Sequence, residues 1–506
     1  MRSGFLNAPC LAYTAVVVVS GALYILTCAP GCLWQDSALF VYRIFHNDLE
    51  GKLGLALSHP LYILFGIVFK QIPIGELAYR INLLSAVFAA LAVANLFLIM
   101  RLWLNRWLPA ILSAATLAVS WTFWQHAVIA EVYTLYAAQM LGQLLFLLQY
   151  IRTRRVKYLY LLGLLNGLAI ANHMWGVFDL ACYAVFVLSL LRRNKISPAQ
   201  LGITVLFWLF GVSPYAYLIV ADILRSHDVP ATLGSALFGG IWRHEVINTS
   251  ISLGTALENI LLVILNFPTP NFIFFFVGLR FLWKSTATRA FANVVFALSG
   301  LYFLFAFRYT VADRYAFFLP FYCFAALLIG FGADLFLRRH KSKALAIIVL
   351  VVALLPIPIY SIAPSVARKA YPPLGQRRQR PYRDEYAYFL KPWKMNCLSA
   401  ERFAKDALLR VEEGAVIYAF PTDVHTLLYA QEVQGIRPDV RIVSSFDKSP
   451  HAPAFNANSV AELIRDETAI YVVTPAAGYC PDFLRDTYEF VKAGSIYRVV
   501  VNQPPR

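Results

Sequence analysis

The stretch "LAYTAVVVVSGALYILTCAPGCLWQDSALF", residues 11–40, decides the fold. Residues 11–29 are apolar and uncharged over about the 20 residues that an α-helix needs to cross a bilayer. No clear cleavage site follows, so the run reads as a retained helix rather than a removed signal peptide. A Pro-Gly turn breaks it, and an acid, Asp36, then stands beside Trp34 and Gln35 where the chain has just left the hydrocarbon. A charge at that depth is costly unless it is paired or functional.

Such runs recur along the chain. Of 506 residues, 59% are hydrophobic and 14% charged, against about 25% charged in soluble domains. This predicts a polytopic α-helical membrane protein; a transmembrane barrel would show short alternating segments instead. About eleven spans are expected, near 11–29, 78–100, 107–123, 132–150, 158–172, 175–191, 201–220, 256–280, 290–307, 315–337 and 344–363. The segment 60–72 is apolar but too short to span, and reads as an interfacial or re-entrant helix.

The net charge of +16 lies mostly in short clusters between spans, such as "RTRRVK" and "RRHKSK". That is the positive-inside pattern and not a nucleic-acid surface. With the N-terminus in the cytoplasm, the basic loops 101–106, 151–157, 192–199, 281–289 and 338–343 all fall inside. The loops 30–77, 124–131, 173–174, 221–255 and 308–314 and the tail from 364 fall outside. This threading requires a very tight turn at "NHMWG", between residues 158 and 191.

Two domains are expected, residues 1–363 in the membrane and 364–506 outside it. The second opens with the Pro- and Arg-rich "YPPLGQRRQRPYRDEY". Helical "AERFAKDALLRVEE" and "TDVHTLLYAQEVQG" then alternate with strand-like "GAVIYAF", "DVRIVSS", "AIYVVT" and "IYRVVV", which indicates a small C-terminal α/β domain. Asp423 and His425 read as capping and decorating a helix, with Thr422 or Asp423 at the N-cap. Cys28 with Cys32, and Cys397 with Cys480, are possible pairs in an oxidising compartment.

Polar residues at the outer ends of spans carry the chemistry. Asp36 leads into a loop with Arg43, His46, Asp48, Glu50 and His59. His126 and Glu131 follow the Trp-rich "WTFWQ", where an aromatic belt is the plain reading. Asn172 and His173 sit between two spans; a lone histidine there is more often structural than a ligand. Arg308, Asp313 and Arg314 form a charged turn, "RYTVADR", whose guanidinium forks match phosphate oxygens. All four patches share one membrane face. An apolar body with carboxylates, histidines and arginines suits a lipid phosphate substrate. No P-loop, dinucleotide fingerprint, HExxH or paired CxxC occurs, so nucleotide-driven and metal-ligand chemistry have no visible motif. "NTS" at Asn248 is an N-glycosylation pattern in an outer loop.

The segments "DSALFVYRIF", "SHPLYILFGIVFKQIPIGELAYRINLLSAVFAALAVANLFLIMRL", "SWTFWQHAVIAEVYTLYA", "GLLNGLAIANHMWG", "DRYAFFLPFYCFAALLIGFG" and "LLYAQEVQGIRPDVRIVS" resemble, in order, the O-mannosyltransferases of the transmembrane protein 260 type. That family belongs with the GT-C glycosyltransferases. The resemblance implies a polyprenyl-phosphate-linked sugar donor, a periplasmic or luminal active face, and a catalytic acid in the first outer loop, the position of Asp36. It implies no fixed cofactor; a divalent metal stays open, because Ser37 stands where many such enzymes carry a second acid. "SHPLY" also lacks the Pro-Gly pair of the family's "HPPGYPLY".

On that basis Asp36 is the expected general base of an inverting transfer, with mannose among the candidate sugars. Arg308 and Arg314 are expected on the phosphate, with His59 or His173 assisting. Glu131 is expected on the sugar hydroxyls or an arginine, and Asp313 beside the arginines. The acceptor is a protein, a glycan or a lipid. The membrane is more readily a bacterial inner membrane than an endoplasmic reticulum. A lipid-sugar flippase or a non-catalytic scaffold are the alternatives; a flippase needs charges near the midplane, and truncation near residue 364 would separate a scaffold from an enzyme, which would keep donor hydrolysis.

Overall fold

The computed structural model describes residues 8–239, 243–284, 288–311, 313–370, 380–445 and 455–501. The expected linker segment 371–379 and part of the basic loop, 285–287, lie outside the described residues. Among the described residues up to Ala370, the helices are α1 (Ala8–Leu26), α2 (Asp36–Phe45), α3 (Pro60–Lys70), α4 (Leu77–Leu104), α5 (Trp107–Ala118), α6 (Trp121–Ala127), α7 (Tyr133–Thr153), α8 (Lys157–Asn172), α9 (Gly176–Arg192), α10 (Pro198–Ser226), α11 (Val229–Phe238), α12 (Arg243–Ile247), α13 (Leu253–Asn266), α14 (Ile273–Phe281), α15 (Arg289–Arg308), α16 (Leu319–His340), α17 (Lys343–Leu354) and α18 (Pro356–Ala370).

All eleven expected spans are helical. By length and apolar composition, however, six helices among the described residues can cross a membrane, or eight if each bent pair is one span. The bent pairs are α5 with α6, at 68°, and α13 with Pro270–Phe281, at 110°. The remainder of the expected count falls on α7, diluted by Gln139, Gln143 and Gln149, and on α8 and α9. With 16 and 17 residues, these last two reach only about 25 Å. Residues 173–175 separate them, so the region is two helices joined by the tight turn the threading required.

The span Arg314–His340 is 94% buried, whereas that of α1 is 11% buried, which places α16 at the centre and α1 against lipid. Helices α8 and α10 approach through glycine. A methyl group on Gly167 would lie 2.3 Å from the Trp208 carbonyl oxygen, a close crossing of the small-residue kind. Gly167→Val is therefore expected to destabilise the protein by about 1–3 kcal/mol through overpacking. Thermal unfolding in detergent checks this, and an unshifted midpoint would remove the crossing.

The basic loops gather at one end of the bundle. There Arg106 meets Asp334 at 3.3 Å, and Arg152 donates to the Leu102 carbonyl at 2.9 Å.

Beyond α18 a five-stranded sheet forms, in the order β2-β1-β3-β5-β4, from β1 (Val416–Tyr418), β2 (Arg441–Val443), β3 (Ile470–Val472), β4 (Tyr488–Ala493) and β5 (Ile496–Val501). β1 pairs parallel with β2 and β3, while β5 runs antiparallel to β3 and β4. β4 was not among the expected strands. Two further expectations fail. The helix Pro421–Leu428 is capped by Phe420 without a side-chain bond; Asp423 is instead fully buried and ion-paired with Arg380 at 3.3 Å. All seven cysteines are free; the buried Cys28 thiol turns to the Val128 carbonyl, and the Cys32 thiol to that of Leu33.

Candidate active site

The loop after α1 is held from two sides. From the membrane part, Asn82 of α4 donates to the carbonyls of Ala29 and Gly31, at 3.0 and 3.1 Å. From the C-terminal unit, Glu401 accepts the Cys32 N–H at 2.6 Å, and Ser399 accepts the Trp34 indole N–H at 3.0 Å. Thr426 donates to the Leu33 carbonyl, and the Thr422 carbonyl accepts the Gln35 N–H, both at 3.1 Å. Trp34 is buried within the C-terminal core, its ring 5.2 Å from that of Phe403. Gln35 takes a left-handed φ of 59°, a conformation that costs a non-glycine residue about 1–3 kcal/mol. The clamp therefore holds a strained turn, and that turn delivers Asp36 as the first residue of α2.

Asp36 is half-buried and faces Asp313, across about 280 residues of sequence. Burial, and then the Asp313 charge, push its carboxyl up to about 7. Asp313 is half-buried too, and burial raises it. Glu131 is buried; burial raises it most, followed by the charges of Asp36 and Asp313. Its backbone N–H is fixed at 3.1 Å by Ser85 of α4, the helix that also carries Asn82. Three acids from three distant segments thus come within reach of one another's charge. Among the described residues, no three His, Cys, Asp or Glu groups lie close enough to hold a metal ion.

Two histidines are joined to the Glu131 segment through Asn172, whose side chain donates to the Val132 carbonyl at 3.1 Å. His59 and His173 stack with ring centres 5.2 Å apart. The His59 Nδ1 meets the Asn172 carbonyl at 2.6 Å, so it donates and leaves Nε2 as an acceptor. The Trp175 N–H reaches His173 Nδ1 at 3.2 Å, which makes that nitrogen the acceptor. Burial pushes His59 down to about 4, and burial and then His59 lower His173, so both rings are neutral at pH 7. His59 is itself placed by Arg43, whose guanidinium donates to the carbonyls of Leu57, Ser58 and Asp48. Glu50 ties the same loop to Arg225 at 2.8 Å.

The two arginines expected on a phosphate have other partners. Arg308 donates to the carbonyls of Val246 and Asn248, at 2.6 and 2.7 Å. Arg314 pairs with Glu258. Each thus ties the 243–258 region to the bundle through one guanidinium nitrogen, while the buried Arg314 Nε has no hydrogen-bond partner.

Sequence reasoning missed the aromatic wall: Tyr133, Trp175, Tyr315 and Phe317. Tyr133 lies 5.9 Å from His173 and 6.1 Å from Phe317, and it senses all three acids, as does Tyr315. The "EVYTLY" spacing was available as a signal, since Tyr133 follows Glu131 by two residues. It also missed Asp179, buried on α9, which accepts from Tyr136 at 2.9 Å and Tyr302 at 2.7 Å beneath Trp175.

Residues 58–197 match the family described as protein O-mannosyl-transferase TMEM260 N-terminal domain, which bears out the resemblance read from the sequence. The mouse protein O-mannosyl-transferase TMEM260 is 26% identical over 229 residues, 44% of this chain and 31% of the mouse protein. The chain thus spans about a third of the length of that curated relative. Among solved structures, ArnT from Cupriavidus metallidurans bound to undecaprenyl phosphate superposes with a TM-score of 0.63 at 14% identity, over 98% of both chains. Its apo state gives 0.59, also at 14% identity, over 97% of each. The chain shares the fold of ArnT along its whole length: a GT-C-like, multi-pass membrane body followed by a C-terminal α/β unit.

Proposed function

We propose that this protein is an inverting membrane glycosyltransferase. It moves a sugar, mannose by its similarity to the mouse O-mannosyltransferase, from a polyprenyl-phosphate donor to an acceptor hydroxyl. The transfer takes place on the periplasmic or luminal face. The observation that carries the reading is the mutual influence of the buried acids Asp36, Glu131 and Asp313, with the stacked, neutral His59 and His173 joined to the Glu131 segment through Asn172, in a fold whose ArnT counterpart holds undecaprenyl phosphate. Asp36 takes the acceptor hydroxyl proton. The acceptor oxygen bonds to the anomeric carbon as the carbon–oxygen bond to phosphate breaks, and the polyprenyl phosphate leaves with the electron pair. Glu131 orients sugar hydroxyls. His59 and His173, being neutral, act as hydrogen-bonding groups rather than as charges. A protein hydroxyl is the acceptor best supported by the family match.

A base pushed to about 7 predicts the pH profile. Asp36 acts only when deprotonated, so turnover rises with pH through about 7. Asp313→Asn removes the charge that helps to hold the proton on Asp36. It is therefore expected to move the rising limb to lower pH, but only in part, because burial is the larger cause. Initial rates with a labelled polyprenyl-phosphate mannose from pH 5 to 9 test this; a limb unmoved or shifted upward would separate the two acids.

A further inference from the structure

Arg308 and Arg314 each spend one guanidinium nitrogen on the 243–258 region, so other cations that could meet a phosphate matter. Residues 382–402 supply three, Arg383, Lys391 and Arg402, together with Lys394, whose ammonium burial lowers to about 7 so that it serves as a hydrogen-bond donor as much as a charge. A cavity of about 270 Å³ is lined by Arg383, Lys391, Lys394 and Arg402, with Tyr388 and Trp393 among its apolar walls. Asp384 also lines it, but Arg368 neutralises that carboxylate at 2.7 Å. Arg383 is buried; Glu385 takes its Nε and Nη2 at 2.8 and 2.6 Å, and its buried Nη1 has no hydrogen-bond partner. Lys394 is also buried and gives two of its three donors to the carbonyls of Tyr388 and Lys391, at 2.6 and 2.7 Å. The wall thus keeps donor capacity in hand, and charge-assisted bonds to an oxyanion are the strongest use of it.

The cavity's position selects the anion. The Lys394 N–H bonds to the Thr27 carbonyl just past the end of α1, and Trp393 lies 5.3 Å from Trp124 of α6. The cavity thus sits at the end of an apolar helix long enough to cross a membrane. The cavity also reaches the turn that delivers Asp36: the Arg383 guanidinium lies 5.6 Å from the ring of Trp34, two residues before that acid.

We propose that this cavity binds a phosphate ester, with Arg383, Lys391, Lys394 and Arg402 as its anion-holding groups, and that the strap 382–402 thereby presents a lipid-borne phosphate to the site of Asp36. The second half of this statement rests on the glycosyltransferase reading; the first does not.

The test is calorimetric titration of the full chain in phosphatidylcholine nanodiscs with undecaprenyl phosphate and, separately, with inorganic phosphate. Arg383→Gln risks misfolding, so the working variant is Lys391→Gln with Arg402→Gln, at half-buried and exposed positions. Its affinity is expected to fall by about tenfold or more, the loss of charge-assisted contacts at the rim. If only the lipid probe binds the wild type and weakens in the variant, the site reads the phosphate together with its lipid. If inorganic phosphate binds and weakens too, the anion alone suffices. Wild-type affinity of the variant for both probes, or no binding of either by the wild type, overturns the proposal. Sugar transfer is measured in parallel. A wild type that transfers, beside a variant that binds and transfers equally, sinks the cavity and leaves the enzyme. A variant that loses phosphate, beside a wild type that transfers nothing, does the reverse.

Discussion

Asp36→Asn is expected to fold and insert as the wild type does, to keep donor binding, and to transfer sugar roughly 10²–10⁴-fold more slowly, the contribution of a positioned base. The size of the loss follows from the chemistry, and the preservation of the fold follows from the electrostatics. The carboxyl is pushed from 3.8 to about 7 chiefly by burial, so the native state keeps its proton to higher pH than the unfolded chain. Ionising Asp36 therefore costs stability as pH rises between about 4 and 7. An uncharged amide of the same shape removes that cost, so the variant's melting temperature at pH 8 should equal or exceed that of the wild type. Wild-type turnover in the variant would take Asp36 out of the mechanism. A collapse of its melting temperature would show that the carboxylate is structural.

Severing the C-terminal unit is expected to abolish transfer, and donor hydrolysis with it, although the membrane helices remain. This revises the expectation that a chain cut near residue 364 would keep hydrolysis. The unit accepts the Cys32 N–H and the Trp34 indole, donates to Leu33, and accepts from Gln35, so every residue of the turn before Asp36 is fixed by it. A milder version separates positioning from folding. Glu401→Ala with Thr426→Val leaves the Cys32 N–H without its acceptor, a penalty of about 1–3 kcal/mol in a turn that is already strained. A misplacement of about 1 Å can cost roughly 100-fold in rate. The loss should fall on kcat more than on KM, while Glu462→Ala, exposed on the far helix Ala457–Arg465, should behave as wild type. Full turnover by the isolated membrane part would refute the clamp.

The rival readings differ in where they need charge. A flippase needs it near the midplane, whereas the three acids and two histidines lie on loops or at helix starts at one end of the bundle. That placement suits chemistry at a membrane surface rather than passage through the midplane.

What the sequence by itself determined is what local chemistry dictates. Each apolar run became a helix because backbone groups in hydrocarbon must satisfy one another within the segment. Asp36, His59, Glu131, His173 and Asp313 stood out because polar groups at span ends are costly and hence informative. The C-terminal alternation of helix and strand was legible, apart from β4, whose partner lies just across the turn at Gly494, with φ of 65°. Tertiary structure alone decided who meets whom. It turned Arg308 to backbone carbonyls and Arg314 to Glu258, and it buried Trp34 in a core built more than 350 residues later. It also set the cations of 383–402 beside the first loop. The physical reason is range: hydrophobic length and period are properties of neighbouring residues, whereas the partner of a guanidinium or of a strained turn is chosen by packing between segments whose separation in the chain carries no signal.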